Sequence, residues 1–363
     1  MPRPKLTVRS IRTTAVEVPM RHVLGTSQAI VRAAPLMLID VETEEGITGH
    51  AYLFCYLVPA AAAIASFMAE IERLVKGKPI DPQAEWPRLA KRFTLIGVQG
   101  TVRMAMAGFD VACWDALAKA AGVPLATFIG AEPKPVPAYN SCGLGLMGAD
   151  ALAKEAVELL EGGFLGVKVR LGYPTLLEDL QAVDAVRRVV NDDVAVMVDY
   201  NQALDEATAL ERGHALLGHG VDWLEEPIRH DDYRAAARLA AALSLPIQLG
   251  ENFSLPESMA EAIAMKACDF VMPDLERIGG VTGWLRAAAI AKDANLLMSS
   301  HLFPEVSAHL MCATPTAHYL EYVDWAAPLL QEPIRIEGGR AMTSTKPGNG
   351  LAWNDEAVAR YRI

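Results

Sequence analysis

Short apolar runs, each ending in a polar residue and followed by a helix-like stretch, recur eight times between Pro135 and Glu321. They are PVPAYNS ending at Ser141, GVKVR at Arg170, VAVMVDYN at Asn201, DWLEE at Glu226, PIQLGEN at Asn252, DFVMPD at Asp274, NLLMSSH at His301 and HYLE at Glu321. Strands of a parallel sheet are buried on both faces, so they read as continuous apolar runs rather than alternating ones. The tips at Asp199, Glu225, Glu251, Asp274 and His301 are 26, 26, 23 and 27 residues apart, one strand-plus-helix unit each. The pattern predicts a parallel barrel, whose functional residues stand where strands end and the following loops begin.

The opening third has a different rhythm. Leu6–Val18 alternates weakly, Leu36–Glu42 is rich in strand formers, and Gly46-Ile47-Thr48-Gly49 marks a turn between strands. Pro59–Val75 and Val102–Ala121 carry apolar residues three and four apart. The second presents Met104, Phe109, Ala112 and Leu117 on one stripe and stops at Gly122-Val123-Pro124. A small α+β domain is expected over residues 1–131, ended by the proline-rich AEPKPVP, because proline continues neither element. The barrel then takes 132–326. The turn-rich 327–363, with strand-like Ile334-Arg335-Ile336, is expected not to extend the barrel but to return to the first domain.

Composition narrows the partners. With 52% hydrophobic and 21% charged residues, the chain is of the folded rather than the disordered kind. Its 33 Lys+Arg against 44 Asp+Glu give a net charge of −11, which repels phosphate backbones and anionic lipid. Nucleic acid and membrane surfaces are therefore not expected as partners. Five dispersed cysteines form no C-x-x-C pair and leave one over, which points to a reducing compartment and away from zinc. The N-terminal MPRPKLTVRS has no apolar signal core, and no stretch reaches the ~18 uninterrupted apolar residues of a membrane span. A cytoplasmic protein is expected.

Asp199, Glu225 and Glu251 end the third, fourth and fifth predicted barrel strands. Neighbouring strands lie ~5 Å apart, so three carboxylates would converge on one point and repel unless a cation stands between them. An all-oxygen set suits Mg²⁺ or Mn²⁺ better than zinc, which prefers nitrogen and sulfur. Asp199 alone would read as a cap or an ion-pair partner; the regular triple carries the metal reading. Glu225 and Glu226 could suggest a glycosidase pair, whose carboxylates stand ~5–9.5 Å apart. Successive strand residues point to opposite faces, however, so Glu225 is read as the ligand and Glu226 as a residue that ties down a nearby Lys or Arg.

Asp274 and His301 end the sixth and seventh strands. A carboxylate beside an imidazole fixes its tautomer and raises its pKa, which makes a base for carbon acids. Most of the 8 histidines are expected to be structural, with His309 and His318 at helix positions. Lys168 and Arg170, two apart on the second strand, share a face and can both enter the barrel mouth, where cations would bind an anionic substrate.

VDYNQ around Asp199, LEEP around Glu225, GEN around Glu251, MPD followed by IGGVTGW, SSHLF around His301 and the closing Leu320-Glu321 together resemble the enolase superfamily, specifically its mandelate racemase subgroup. The resemblance runs over nearly the whole chain. It implies an α/β fold: a (β/α)7β TIM-like barrel with an N-terminal α+β capping domain completed by the C-terminal segment. It also implies Mg²⁺ on Asp199, Glu225 and Glu251, a His301–Asp274 dyad as base, Lys168 and Glu321 polarising a substrate carboxylate, and Ser141 and Asn201 hydrogen-bonding nearby. A homo-oligomer is implied too, octamers being known in the subgroup. Lid loops around Arg21–Ala34 and Tyr52–Tyr56 would close over the substrate, offering apolar Leu24, Val31, Phe54 and Tyr56 beside polar Gln28.

One position departs from the family pattern. Racemases of the subgroup carry Lys-x-Lys on the second strand, the second Lys being a base on the face opposite the histidine; here the run is Lys168-Val169-Arg170. A guanidinium has a pKa above ~12 and keeps its proton, whereas an ammonium near a metal can be lowered towards neutrality. What remains is one-base chemistry: His301 takes the proton α to a carboxylate, and metal, Lys168 and Glu321 stabilise the enediolate, as Lys or His bases with Mg²⁺ do across the superfamily. A β-hydroxyl could then leave as water, giving a 2-keto acid, with Arg170 a fork for a distal hydroxyl or carboxylate. The expected activity is Mg²⁺-dependent α-proton abstraction from a 2-hydroxycarboxylate, with dehydration of an acid sugar ahead of racemisation or epimerisation. A drifted barrel that only binds is the rival from another class, and the intact triple and dyad argue against it.

Overall fold

The computed structural model describes residues 4–363; residues 1–3, the start of the N-terminal segment read above, lie outside the described residues. The chain opens with an antiparallel sheet of β1 (Val8–Gly25), β2 (Ile30–Thr43) and β3 (Thr48–Phe54), in that order. Four helices follow: α1 (Val58–Val75), α2 (Pro82–Phe93), α3 (Thr101–Ala120) and the short α4 (Leu125–Phe128). α1 buries Ala61, Ile64, Met68, Ile71 and Val75, the three-and-four spacing of a helix with one face in the core. α3 instead is buried all round from Val102 to Ala118, which corrects the single stripe expected of it. It lies so close on the sheet that a Cβ at Gly108 would stand 2.3 Å from Ile39, and one at Gly49 would stand 1.9 Å from the Ala112 carbonyl.

Next come the barrel units: β4 (Pro135–Asn140), α5 (Ala149–Leu159), β5 (Gly166–Arg170), α6 (Leu176–Arg187), β6 (Ala195–Asp199), α7 (Glu206–Leu216), β7 (Trp223–Glu225) and α8 (Tyr233–Ala242). They continue with β8 (Ile247–Leu249), α9 (Leu255–Ala264), β9 (Phe270–Val271), α10 (Leu275–Ile278), α11 (Gly280–Ala294), β10 (Leu297–Met298), α12 (Pro304–Cys312) and β11 (Leu320–Tyr322). Each of the eight apolar runs supplies one of these strands. Parallel pairing runs from β4 to β10 in sequence order, and β11 closes the ring on β4. The fold is a (β/α)7β TIM-like barrel with an N-terminal α+β cap. The register aligns the functional tips: Arg170 opposite Asp199, Asp199 opposite Glu225, Asp274 opposite His301 and Glu321 opposite Tyr139.

Three expectations are corrected here. The lid around Arg21–Ala34 is not a loop but the twisted far end of the β1–β2 hairpin, pinned at its tip by the Thr26 amide donating to the Ala29 carbonyl at 2.8 Å. The C-terminal segment does extend the barrel sheet before it returns. A hairpin of β12 (Arg335–Glu337) and β13 (Arg340–Met342) adds antiparallel to the start of β4, whose edge is free below its pairing with β5 and β11. The chain then crosses to the cap, where Trp353 Nε1 donates to Asp40 at 2.7 Å, α13 (Asp355–Tyr361) follows, and the Ile363 amide donates to the Ala15 carbonyl. His318, expected at a helix position just before the last strand, does precede β11 but lies in an extended stretch outside any helix, while His309 is helical in α12. No helix among the described residues is long and apolar enough to cross a membrane.

Candidate active site

The ends of β6, β7 and β8 bring Asp199, Glu225 and Glu251 together, with one oxygen of each within 4.8 Å of the others. Local bonds fix each one. Asp199 accepts the Asn201 amide at 2.8 Å and the Asn201 side chain at 3.0 Å, because the chain turns into the left-handed region at Asn201 and Gln202 straight after the strand. Glu225 accepts from Trp223 Nε1 at 3.2 Å and from Lys168 at 2.5 Å. Glu251 accepts from Asn252 Nδ2 at 3.1 Å. Glu226 stands just past the end of β7, where the backbone turns to φ 33°, so strand alternation no longer sets its direction. Its partner is the amide of Asn252, at 2.7 Å, and not the Lys or Arg expected.

Burial denies these carboxylates hydration and they repel one another. Burial, opposed by Lys168 and reinforced by Glu251, pushes the Asp199 carboxyl up; the same balance, with Asp199 as the reinforcing neighbour, pushes Glu225 up to about 8. At Glu251 burial acts upward too, but His301, Lys168 and Arg277 outweigh it and hold the carboxyl at about 2. An oxygen-only, buried and mutually repelling triple fits a hard divalent cation of the magnesium type.

Lys168 stands beside the triple, fully buried, 2.5 Å from Glu225, 2.7 Å from Glu321 and 3.6 Å from Asp199. Burial alone would discharge it, but these three carboxylates keep the ammonium protonated. Glu321 in turn accepts the Leu302 amide at 2.9 Å. Three residues past β10, His301 donates from Nδ1 to Asp274 at 2.7 Å, while its Nε2 stands 3.1 Å from Glu251. Asp274 cannot swing away, because its other oxygen caps α10 by accepting the Glu276 and Arg277 amides at 2.8 and 3.0 Å. Burial disfavours the imidazolium, yet Glu251, Glu321 and Asp274 overcome it and raise the His301 pKa.

Arg170 is anchored from one end. Its Nη1 donates to the main-chain carbonyls of Ser141, Gly143 and Lys168 at 3.1–3.2 Å, and its Nη2 to Ser141 Oγ at 2.8 Å. Ser141 is thus a prop for Arg170. Among the described residues Nε has no partner.

A cavity of about 330 Å³ opens over these groups, lined below by Lys168, Arg170, Asp199, Glu251, His301 and Glu321. Its cover comes from the cap: Leu24, Gln28, Val31, Phe54 and Tyr56 all reach it. Gln28, although exposed, does not dangle in solvent; it donates to the Asn201 carbonyl at 3.0 Å, and Ser27 beside it donates to the Tyr200 carbonyl at 2.8 Å. Sequence reasoning missed Gln202, Arg277, Leu302 and Trp325 on the same wall. Trp325 packs on Phe54 with ring centroids 4.9 Å apart. Arg277 gave no local signal, because the ring it meets, Tyr56, is remote in sequence.

Comparison with known proteins places this geometry. Residues 8–130 match the mandelate racemase/muconate lactonizing enzyme N-terminal domain, and residues 151–357 match the enolase C-terminal domain-like family. The chain is 30% identical over 345 residues to the L-talarate/galactarate dehydratase of Salmonella typhimurium, covering 94% of this chain and 86% of that one. A crystal structure of an enolase from alpha proteobacterium BAL199 with bound magnesium superposes with a TM-score of 0.97 at 40% identity, covering 99% and 100% of the two chains. A Bradyrhizobium enolase complexed with magnesium and mandelic acid gives 0.94 at 38%, covering 99% of each. The chain belongs to the enolase superfamily, in its mandelate racemase subgroup.

Proposed function

We propose that this enzyme removes the α-proton of a small 2-hydroxycarboxylate with His301 as its single base, and that the reaction is dehydration of an acid sugar. The observation that carries the reading is Arg170: the residue in the second-base position is a guanidinium tied through Nη1 to three main-chain carbonyls, and it cannot take a proton. Asp199, Glu225 and Glu251 would hold magnesium, with manganese as the substitute. Bound there, the ion offsets the negative charge that develops on the substrate's carboxylate. The dehydratase activity of the Salmonella relative supports the reaction type.

The chain's own residues take the following parts. Lys168 places a fixed positive charge beside the ion site, and Glu321 aims that ammonium by accepting from it at 2.7 Å. His301 Nε2 receives the α-proton, while Asp274 holds the ring and steadies its cationic form. The β-carbon–oxygen bond then breaks, hydroxide leaves with the proton returned by the imidazolium, and the enol left behind tautomerises to a 2-keto acid. Arg170 Nε and Gln28 bind distal hydroxyls, Asn201 orients Asp199, Ser141 steadies Arg170, and the cap residues exclude water. The working division is 1–131 as cap, 132–326 as barrel and 327–363 as the returning segment, in a cytoplasmic homo-oligomer of octameric type. The five buried free cysteines support the location.

A second reading is favoured by the cover, where Leu24, Val31, Phe54 and Tyr56 form an apolar wall, and by the mandelic acid in the Bradyrhizobium relative. It is racemisation of an aryl 2-hydroxy acid. The test is incubation with Mg²⁺ in D₂O over a panel of chiral 2-hydroxy acids and acid sugars, followed by NMR. The expected result is α-deuterium and 2-keto acid from one configuration only; comparable exchange from both enantiomers would overturn the one-base reading.

A further inference from the structure

The one-turn helix α10 joins the cover of the site to its floor. Four residues long, it starts directly after Asp274, the partner of His301. Its next two side chains reach the cap instead. Glu276, buried, accepts the Phe54 main-chain amide at 3.1 Å. Arg277 lays its guanidinium over the Tyr56 ring, 4.7 Å from the centroid. From the same guanidinium, Nη1 donates to the Glu251 carbonyl at 3.2 Å and to Asn252 Oδ1. Asn252 passes the link on, donating to both Glu251 and Glu226.

Tyr56 holds the left-handed conformation, φ 60°, which is uncommon for a bulky side chain and is held where surrounding contacts support it. The supporting contacts are the Arg277 face and the Phe54 ring, 4.4 Å away. A guanidinium can stack on an aromatic face and donate in its plane at the same time; an ammonium cannot do both with one geometry.

We propose that Arg277 is a positioning residue that couples seating of the Phe54–Tyr56 cover to the orientation of Glu251. The inference rests on the reading of Glu251 as a metal ligand. Covering the site then tightens the ion, and loading the ion steadies the cover, since such coupling is reciprocal.

The experiment measures Mn²⁺ affinity by electron paramagnetic resonance on the substrate-free full-length protein, together with kcat and KM separately. Tyr56→Phe keeps the ring and should bind Mn²⁺ like the wild type. Tyr56→Leu removes it and should bind about threefold more weakly, the worth of an exposed cation–π contact. Arg277→Lys keeps the charge but loses the stack-and-donate geometry, and should weaken binding about tenfold while raising KM more than it lowers kcat. In the Arg277→Lys background, Tyr56→Leu should add nothing. Wild-type affinity in Tyr56→Leu, or a full further threefold loss in the double variant, would overturn the coupling while leaving the metal site standing. Absence of Mn²⁺ binding by the wild type would remove the metal reading and the coupling together.

Discussion

His301, just beyond β10, and Arg170, at the end of β5, flank one cavity, yet they are supported in contrasting ways. His301 leans on a side-chain carboxylate through Nδ1 and turns Nε2 to the cavity side, 3.1 Å from Glu251. Arg170 is bolted to main-chain carbonyls, all of which favour the cation and none of which can follow a change of protonation. A group that must gain and lose a proton needs a partner that stabilises both states and leaves one nitrogen free. A group that serves as fixed charge is best held by dipoles that never change. The two supports therefore mark one proton-transfer face and one electrostatic face.

His301→Asn should break the contrast most severely, lowering α-deuterium exchange by about 10³-fold or more, as loss of a general base does. Residual exchange near the parent rate would place the base elsewhere. Asp274→Asn keeps the shape but not the charge behind the ring, and a fall of about 10²-fold in kcat with little change in KM is expected from steady-state kinetics. Arg170→Lys should sharpen the comparison from the other side. A lysine there can lose a proton, so slow exchange at the opposite configuration should appear in chiral NMR analysis. The variant should also lose about 1–3 kcal/mol in chemical denaturation, because buried carbonyls are left without donors.

The smallest effect concerns a histidine with no carboxylate beside it. Burial pushes His309 down to about 4, and the main chain of Asn349 opposes it only weakly, where carboxylates prevail at His301. The folded pKa lies below the usual 6.5, so the unfolded chain takes up a proton that the native chain refuses. Stability is lost as pH falls from about 6.5 towards 4, by about 1–2 kcal/mol from this group by pH 5. In thermal melts across that window the slope should flatten in His309→Leu; an unchanged slope would assign the acid sensitivity to other groups.

The barrel was legible in the sequence because burial on both faces removes most polarity from a parallel strand except near its tip, and the tips carry most of the site. α2 was not legible, because it is mostly polar, with Pro87 inside and a buried face of only Pro82, Glu85, Leu89 and Phe93. The full lengths of β1 and β2 were hidden for a related reason: their far ends, over Gly25 and Ile30, alternate against a thin apolar wall rather than a core. The pairing of β13 with β4 joins segments some two hundred residues apart through three short steps, which no local pattern announces. Arg277 and Trp325 fall in the same class. Each meets a cap residue that is remote in sequence and near only after the cap has docked.

The hairpin tip grips the barrel through Ser27 and Gln28, and both donate to main-chain oxygens, those of Tyr200 and Asn201. Every amino acid offers that same oxygen. The fastening therefore does not depend on which side chains the barrel carries at those two positions, and the enclosure can persist while they change.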